Sequence, residues 1–220
     1  SSAQNPQIIY AQVGDYFNFN ALGTWVTTNG GASWNQLAGS ANFDYHDCTG
    51  LSTNEAQDWY DLAIGVDSGN DHVLYVGRTS MYRMEVNSDY TSVTSITNLA
   101  NVYSQTCSGY GSIHPDQHAL AMLDNGQFLA GNDGGVYLGN GGVGGFTQLN
   151  RGLNISQFYA GQIGANFATS STQFAFGGMQ DNGSASWDAA NGTAQWQARG
   201  NGGDGFFAAF DPLTGSRTAG

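Results

Sequence analysis

Carboxylates in this chain gather at glycine-bounded corners. Asp116 and His118 lie in His114-Pro115-Asp116-Gln117-His118, Asp133 in Gly131-Asn132-Asp133-Gly134-Gly135, Asp181 in Gln180-Asp181-Asn182-Gly183 and Asp204 in Gly202-Gly203-Asp204-Gly205. Asp58 opens the run Asp58-Trp59-Tyr60-Asp61, and Phe158-Tyr159 supplies a second aromatic pair. Such groups suit a sugar, because rings stack on pyranose faces while carboxylates accept hydroxyl hydrogen bonds or act as acid and base. Asp116 and Asp204 are the best candidates for the two carboxyls of a glycoside hydrolase. A gap of about 5–5.5 Å between them would imply retention, and a wider one inversion. Asp58, Trp59, Tyr60, His118, Asp133, Phe158, Tyr159 and Asp181 are then candidate ligand contacts. Each has a plainer role beside it. Asp next to Gly or Asn in a turn commonly bonds its own backbone two residues on. Trp59 and Tyr60 can pack between sheets, and His118 can hydrogen-bond a neighbouring strand. Asp116, His118 and Asp133 could also coordinate Ca2+ or a transition ion, although no ligand spacing of diagnostic quality occurs and no other cofactor is implied.

The elements that would carry these corners are short strands. Apolar runs begin near Trp59, His118, Gln157 and Phe206, spaced by roughly 40 to 60 residues, the period of four-stranded propeller blades. Second strands follow at Val73–Gly77, Gln127–Gly131 and Gln173–Gly177, third strands at Ser80–Val86, Gly135–Leu138 and near Ser184–Trp187. Fourth strands fall at Ser92–Ile96, Gly145–Leu149 and Ala194–Ala198. No stretch carries a sustained helical period. The chain is therefore expected to be all-β, a β-propeller of four-stranded antiparallel blades with about four blades covered. The blade strands run over 8–38, the blades over 59–97, 117–150 and 157–199, and a further blade starts at 204–220. Residues 8–38 lack an innermost strand and Phe206–Phe210 lacks partners, so either the C-terminal strand closes onto the N-terminal blade as a four-bladed ring or, the reading preferred, the chain is a piece of a larger propeller. In such a blade the connection into the innermost strand shares a face with the turn between strands two and three. All the corners above should then meet around one mouth of the channel.

Thr27-Thr28-Asn29-Gly30-Gly31-Ala32-Ser33-Trp34 has the form of an Asp-box, with Thr27, Asn29, Gly31, Ser33 and Trp34 as its key positions. Its turn residues tolerate the left-handed backbone of a tight hairpin, and Trp34 is expected to plug the space between two outer strands. The equivalent turns after Tyr82 and Tyr137 look eroded.

Charge narrows the function. The net charge of -12 comes from 17 acidic residues set against five arginines and no lysine. Nucleic-acid binding needs clustered cations and is disfavoured, and no apolar run reaches membrane-spanning length. The scattered arginines also argue against a sialidase, which clamps a substrate carboxylate with three of them. Cys48 and Cys107 sit in the connections before the second and third innermost strands, on one face of adjacent blades. They are either a disulfide worth about 4 kcal/mol or two buried thiols. Sequons at Asn154, Asn182 and Asn191 and these cysteines lean towards an oxidising, extracellular setting.

The ordered set Asp58–Ile64, His114–Leu120, Gly131–Tyr137, Leu153–Tyr159, Gly177–Gly183 and Gly202–Phe206 resembles the secreted bacterial BNR/Asp-box repeat propellers. These are relatives of the sortilin (VPS10) domain and, more distantly, of sialidase and xyloglucanase propellers. The resemblance implies a multi-bladed extracellular module of a large secreted or surface protein, without implying a proven activity. A binding or structural module for a glycan, a peptide or neighbouring protein subunits is the reading preferred, and assembly into a larger surface structure fits it. A glycoside hydrolase is the alternative.

Overall fold

The computed structural model describes residues 1–17, 21–41, 45–46, 52–53, 57–102, 109, 111–153, 155–164, 173–189, 196–200, 202–210 and 217–219. The chain divides into two compact units, Ser1–Leu153 and Asn154–Gly220. In the first, β1 (Ile9–Gly14), β2 (Ala21–Thr27) and β3 (Asn35–Gln36) form an antiparallel sheet, followed by the hairpin of β4 (Tyr45–His46) and β5 (Ser52–Thr53). A four-stranded meander comes next: β6 (Ala63–Val66), β7 (Val73–Gly77), β8 (Met81–Val86) and β9 (Val93–Asn98). β10 (Ala100–Asn101) and β11 (Gly111–Ser112) pair in parallel within the connection to a second meander. That meander is β12 (Gln117–Met122), β13 (Phe128–Asn132), β14 (Gly135–Gly139) and β15 (Phe146–Gln148). In the second unit β16 (Phe158–Ile163), β17 (Phe174–Met179), β18 (Asn182–Asp188) and β19 (Gln197–Ala198) repeat the pattern, with β20 (Gly203–Asp204) parallel to β18. β21 (Ala208–Phe210) pairs with β22 (Arg217–Ala219). The strand expected over Phe206–Phe210 covers Ala208–Phe210 and has a partner, contrary to expectation.

No α-helix occurs among the described residues. Within the first unit the sheets stack in chain order, β12 lying against β6 and β7, and β6 against β1. Consecutive antiparallel meanders stacked through their first strands are built as propeller blades are, and the fold is all-β of that type. One apolar core runs through this unit and includes Leu74, Val76, Met81, Met84 and Phe128, all buried. β7 is buried along its whole length, the mark of a strand covered on both faces. Close approach fixes the stacking. A Cβ on Gly77 would come 2.7 Å from the Gln117 Cβ, and one on Gly65 would meet the Met122 side chain, both in the next sheet.

The Thr27–Trp34 turn is held by side chains. Thr27 Oγ1 accepts from the Gly31 amide (3.0 Å), and Asn29 Oδ1 accepts from the Ser33 amide (3.0 Å) while Asn29 Nδ2 donates to Ser33 Oγ (2.8 Å). The turn after β8 repeats this clamp. Asn87 Oδ1 accepts from the Thr91 amide (2.9 Å) and Nδ2 donates to Thr91 Oγ1 (2.9 Å). Asn140, after β14, accepts only from the Gly142 amide among the described contacts. Trp34 does not plug a gap. It is exposed, because β3 is a two-residue edge strand and the indole lies over the turn glycine Gly31 instead. Asn29→Ala is expected to cost about 1 kcal/mol net, read as a lower midpoint in urea denaturation, with Asn29→Asp close to wild type.

Cys48 and Cys107, and with them the disulfide expectation, lie outside the described residues, as do Asn154 and Asn191. Asn182 opens β18 with an exposed side chain that donates to the Gln180 carbonyl.

Candidate functional site

Asp58, Trp59 and Tyr60 are not the start of a strand. They form a turn before β6, with the Tyr60 and Asp61 amides both donating to the Gln57 carbonyl (2.7 and 2.8 Å). The turn lets its side chains part. Asp58 goes inward and receives a fork-to-fork ion pair from Arg78, at the end of β7, through Nε to Oδ1 and Nη2 to Oδ2. Both partners are buried. Asp58 is thereby withdrawn from the ligand contact expected of it. Trp59 (49% exposed) and Tyr60 (43%) face outward.

Arg78 also ties in the next sheet. Its carbonyl accepts from the Gln117 amide (2.9 Å), and the Thr79 carbonyl accepts from the Asp116 amide (3.1 Å). Asp116 takes a left-handed backbone (φ 66°) at this crossing, a conformation Asp tolerates better than most residues. Gln117 is fully buried and donates to the His114 carbonyl (2.6 Å). The ladder then slips: Gln117 pairs with Asn132 and Ala119 with Gly131, leaving His118 as the extra residue of a bulge. A bulge re-aims its side chain, and here His118 Nε2 meets Asp133 Oδ1 at 2.9 Å. The turn role expected for Asp133 belongs to its neighbour, since the Gly134 amide donates to Asn132 Oδ1 (3.0 Å). Gly134 must be glycine, because a Cβ there would lie 2.4 Å from the His114 Cβ.

Three carboxyls meet at this end of the two meanders. Asp61 is fully buried, faces the Asp116 carboxyl at hydrogen-bonding range and feels the charges of Asp133 and Asp58. Burial first, then these neighbours, push Asp61 up to about 9. Burial also raises Asp116, with Asp133 adding to the effect, while its bond with Asp61 and the nearby His114 and His118 oppose it. A pair that close holds one proton between two groups.

Beside the carboxyls runs a row of rings. Tyr60 stands edge-on to the His118 ring (4.7 Å between centroids), Trp59 lies 5.5 Å from Tyr60, and Tyr16 lies 6.4 Å from Trp59 and 5.7 Å from Phe17. Tyr16 (68% exposed) and Phe17 (84%) come from the β1–β2 connection, with the Phe17 amide bonded to Asp15 Oδ1. Sequence reasoning missed both. Their signal was two adjacent aromatics in a polar turn, placed where a turn between strands two and three would reach the same face.

In the second unit the same bulge recurs. Phe158 pairs with Met179 and Ala160 with Gly178, which leaves Tyr159 as the extra residue. Tyr159 stacks on Phe206 (5.5 Å, 11° between planes), and its hydroxyl donates to Asp204 Oδ1 (3.4 Å). That oxygen also accepts from the Asp181 amide (3.1 Å), so Asp204 is engaged in turn chemistry. Phe158 packs on Trp196 at 5.3 Å. Asp116 belongs to the first unit and Asp204 to the second.

Arg78 is paired with Asp58, Arg83 with Glu85, and Arg199 donates to Ser186 and Gln197.

Neither a family profile nor a curated protein matches the chain. Similar solved structures include YCF48 bound to a D1 peptide, at 12% identity and TM-score 0.34, with 88% of this chain covering 58% of that one. An ancestral GH74 enzyme matches at 11% identity and TM-score 0.35, with 98% of this chain covering 29% of that one. YCF48 from Cyanidioschyzon merolae matches at 11% identity and TM-score 0.34, with coverages of 90% and 58%. The chain spans less than two thirds of the length of each.

Proposed function

We propose that the protein is an extracellular, non-catalytic binding module that holds a glycan on the ring row Tyr16, Phe17, Trp59 and Tyr60. The observation that carries this reading is the exposure of those four rings in unbroken succession beside the His118–Asp133 pair. Four large aromatics kept in water are costly unless something covers them. Flat rings beside carboxylate acceptors match a hydroxyl-rich chain better than an acidic partner, which the net charge of -12 would repel. A secreted or surface location, and an Asp-box reading of the clamped Thr27–Trp34 turn, belong to the same proposal. A peptide or a neighbouring subunit is the competing occupant.

Retention in native gels cast with a panel of neutral polysaccharides tests it. Trp59→Ala is expected to weaken the best binder by at least about tenfold, the usual effect of removing an aromatic anchor. Undiminished binding by Trp59→Ala, or no retention on any polysaccharide, would sink the glycan reading.

The hydrolase alternative has one feature in its favour, the buried Asp61 carboxyl, raised by burial and by Asp116 beside it. Their contact distance is against it, because both glycosidase geometries hold the two carboxyls about 5 Å or more apart. Reducing ends released by the wild type but not by Asp116→Asn would establish it.

A further inference from the structure

We propose that Asp58 and Gly14 are positioning residues that assemble the ring row, an inference that rests on the glycan reading only for what the row binds. Tyr16 and Phe17 are neighbours in sequence, as are Trp59 and Tyr60, so each pair comes with its own connection. The contact that makes one row of the two pairs is Tyr16 to Trp59, at 6.4 Å between centroids and 87° between planes. It joins the β1–β2 connection to the turn before β6, which belong to different sheets. Something must hold them at that separation, because surface connections are the more mobile parts of a fold.

The backbone supplies it. An added Cβ on Gly14, the last residue of β1, would collide with the Asp58 carbonyl oxygen and stand 3.1 Å from the Asp58 Cβ. The end of β1 thus lies against the residue that precedes Trp59. The β1–β2 ladder slips between Val13 and Gly14, passing over Leu22, and a bulge of this kind bends its strand. Gly14 has no positive φ, so the close approach alone requires glycine there. Just beyond it the Phe17 amide donates to Asp15 Oδ1 (2.9 Å), a side-chain turn that sets the direction in which the two rings leave. On the other side Asp58 cannot yield. Arg78 holds its carboxylate through two N–H donors in a buried pair, and the Tyr60 and Asp61 amides close on the Gln57 carbonyl. Asp58 therefore acts on a ligand through the rings that it places. A row fixed beforehand loses less freedom on binding.

The test labels the full chain with 5-fluorotryptophan and reads the 19F resonance of Trp59, assigned by its loss in Trp59→Ala, with no ligand present. Gly14→Ala should shift that resonance as Tyr16→Ala does, because either change takes the Tyr16 ring off Trp59. In the polysaccharide gels Gly14→Ala should weaken the best binder at least about fivefold, although Gly14 carries no ring. Asp15→Ala should act in the same direction, and Asp15→Asn, which keeps the acceptor, should restore both readouts. That pair carries the test where Gly14→Ala fails to fold by far-UV circular dichroism. A Trp59 resonance unmoved in Gly14→Ala and Asp15→Ala would overturn the positioning role. Retention of both variants at the wild-type level would overturn it too, and the glycan reading would then survive. If no polysaccharide retains the wild type, the glycan reading falls alone and the resonance still decides the positioning role.

Discussion

Arg78→Ala should destabilise the protein by about 3–5 kcal/mol, the usual cost of removing one partner of a buried ion pair. The guanidinium and the Asp58 carboxylate are both buried and joined through two N–H donors. Alanine would leave the Asp58 charge in a low-dielectric pocket with its strongest donor gone. The Arg78 carbonyl also anchors the start of β12 through Gln117, so disturbance there reaches the next sheet. In a chain of this size the loss corresponds to roughly 10 °C in Tm, measurable by calorimetry. Pairing the change with Asp58→Leu should recover part of the loss, since an apolar pair avoids the desolvation the ion pair carries. A Tm for Arg78→Ala within about 2 °C of wild type would show that this ion pair does not bind the sheets together.

Asp61 predicts an unusual pH profile in chelator-containing buffer. Its carboxyl is raised from 3.8 to about 9 by burial and by Asp116, Asp133 and Asp58. The folded state therefore keeps a proton that the unfolded chain releases near pH 4. Unfolding then sheds protons, and stability falls as pH rises from about 4 to about 9, flattening on either side. A tenfold change in a protonation equilibrium is about 1.4 kcal/mol, so even half of such a displacement amounts to roughly 10 °C of Tm between pH 5 and pH 9. Asp61→Asn is neutral at every pH and should flatten most of the profile, gaining on the wild type above pH 8. Parallel profiles for the two proteins would mean that Asp61 ionises normally.

The architecture was legible in sequence because its signals are local. Val73–Gly77 and Phe128–Asn132 are short apolar runs that end in turn chemistry, and both became second strands of meanders. The corners of the first unit were also legible together. Asp61, Asp116 and Asp133 share one end of the sheets because strand alternation decides which connections do. What escaped depends on contacts distant in sequence. The Asp58–Arg78 ion pair cannot be read from either residue alone. The Asn87–Thr91 clamp hid because Val86-Asn87-Ser88-Asp89-Tyr90-Thr91 carries no glycine where the Thr27–Trp34 turn has two. Trp34 misled because the pattern says an indole follows the turn, while its burial depends on a neighbour that a two-residue edge strand does not supply. The bulges at His118 and Tyr159 are a matter of register, which periodicity cannot resolve by one residue.

The acidic cluster draws on the approach to β6, the approach to β12 and the β13–β14 turn, elements of two different sheets. Until β12 docks beside β6 and β7, Asp61 faces neither Asp116 nor Asp133, and Asp58 of its own turn is the nearby carboxyl. Its repulsion with Asp116 and Asp133 is therefore absent while the first meander forms and arises wholly at the moment of docking. That makes docking the step of folding that a rise in pH opposes. A chain emerging during synthesis, complete as far as β9, would hold the Asp58–Arg78 pair long before it met this electrostatic toll.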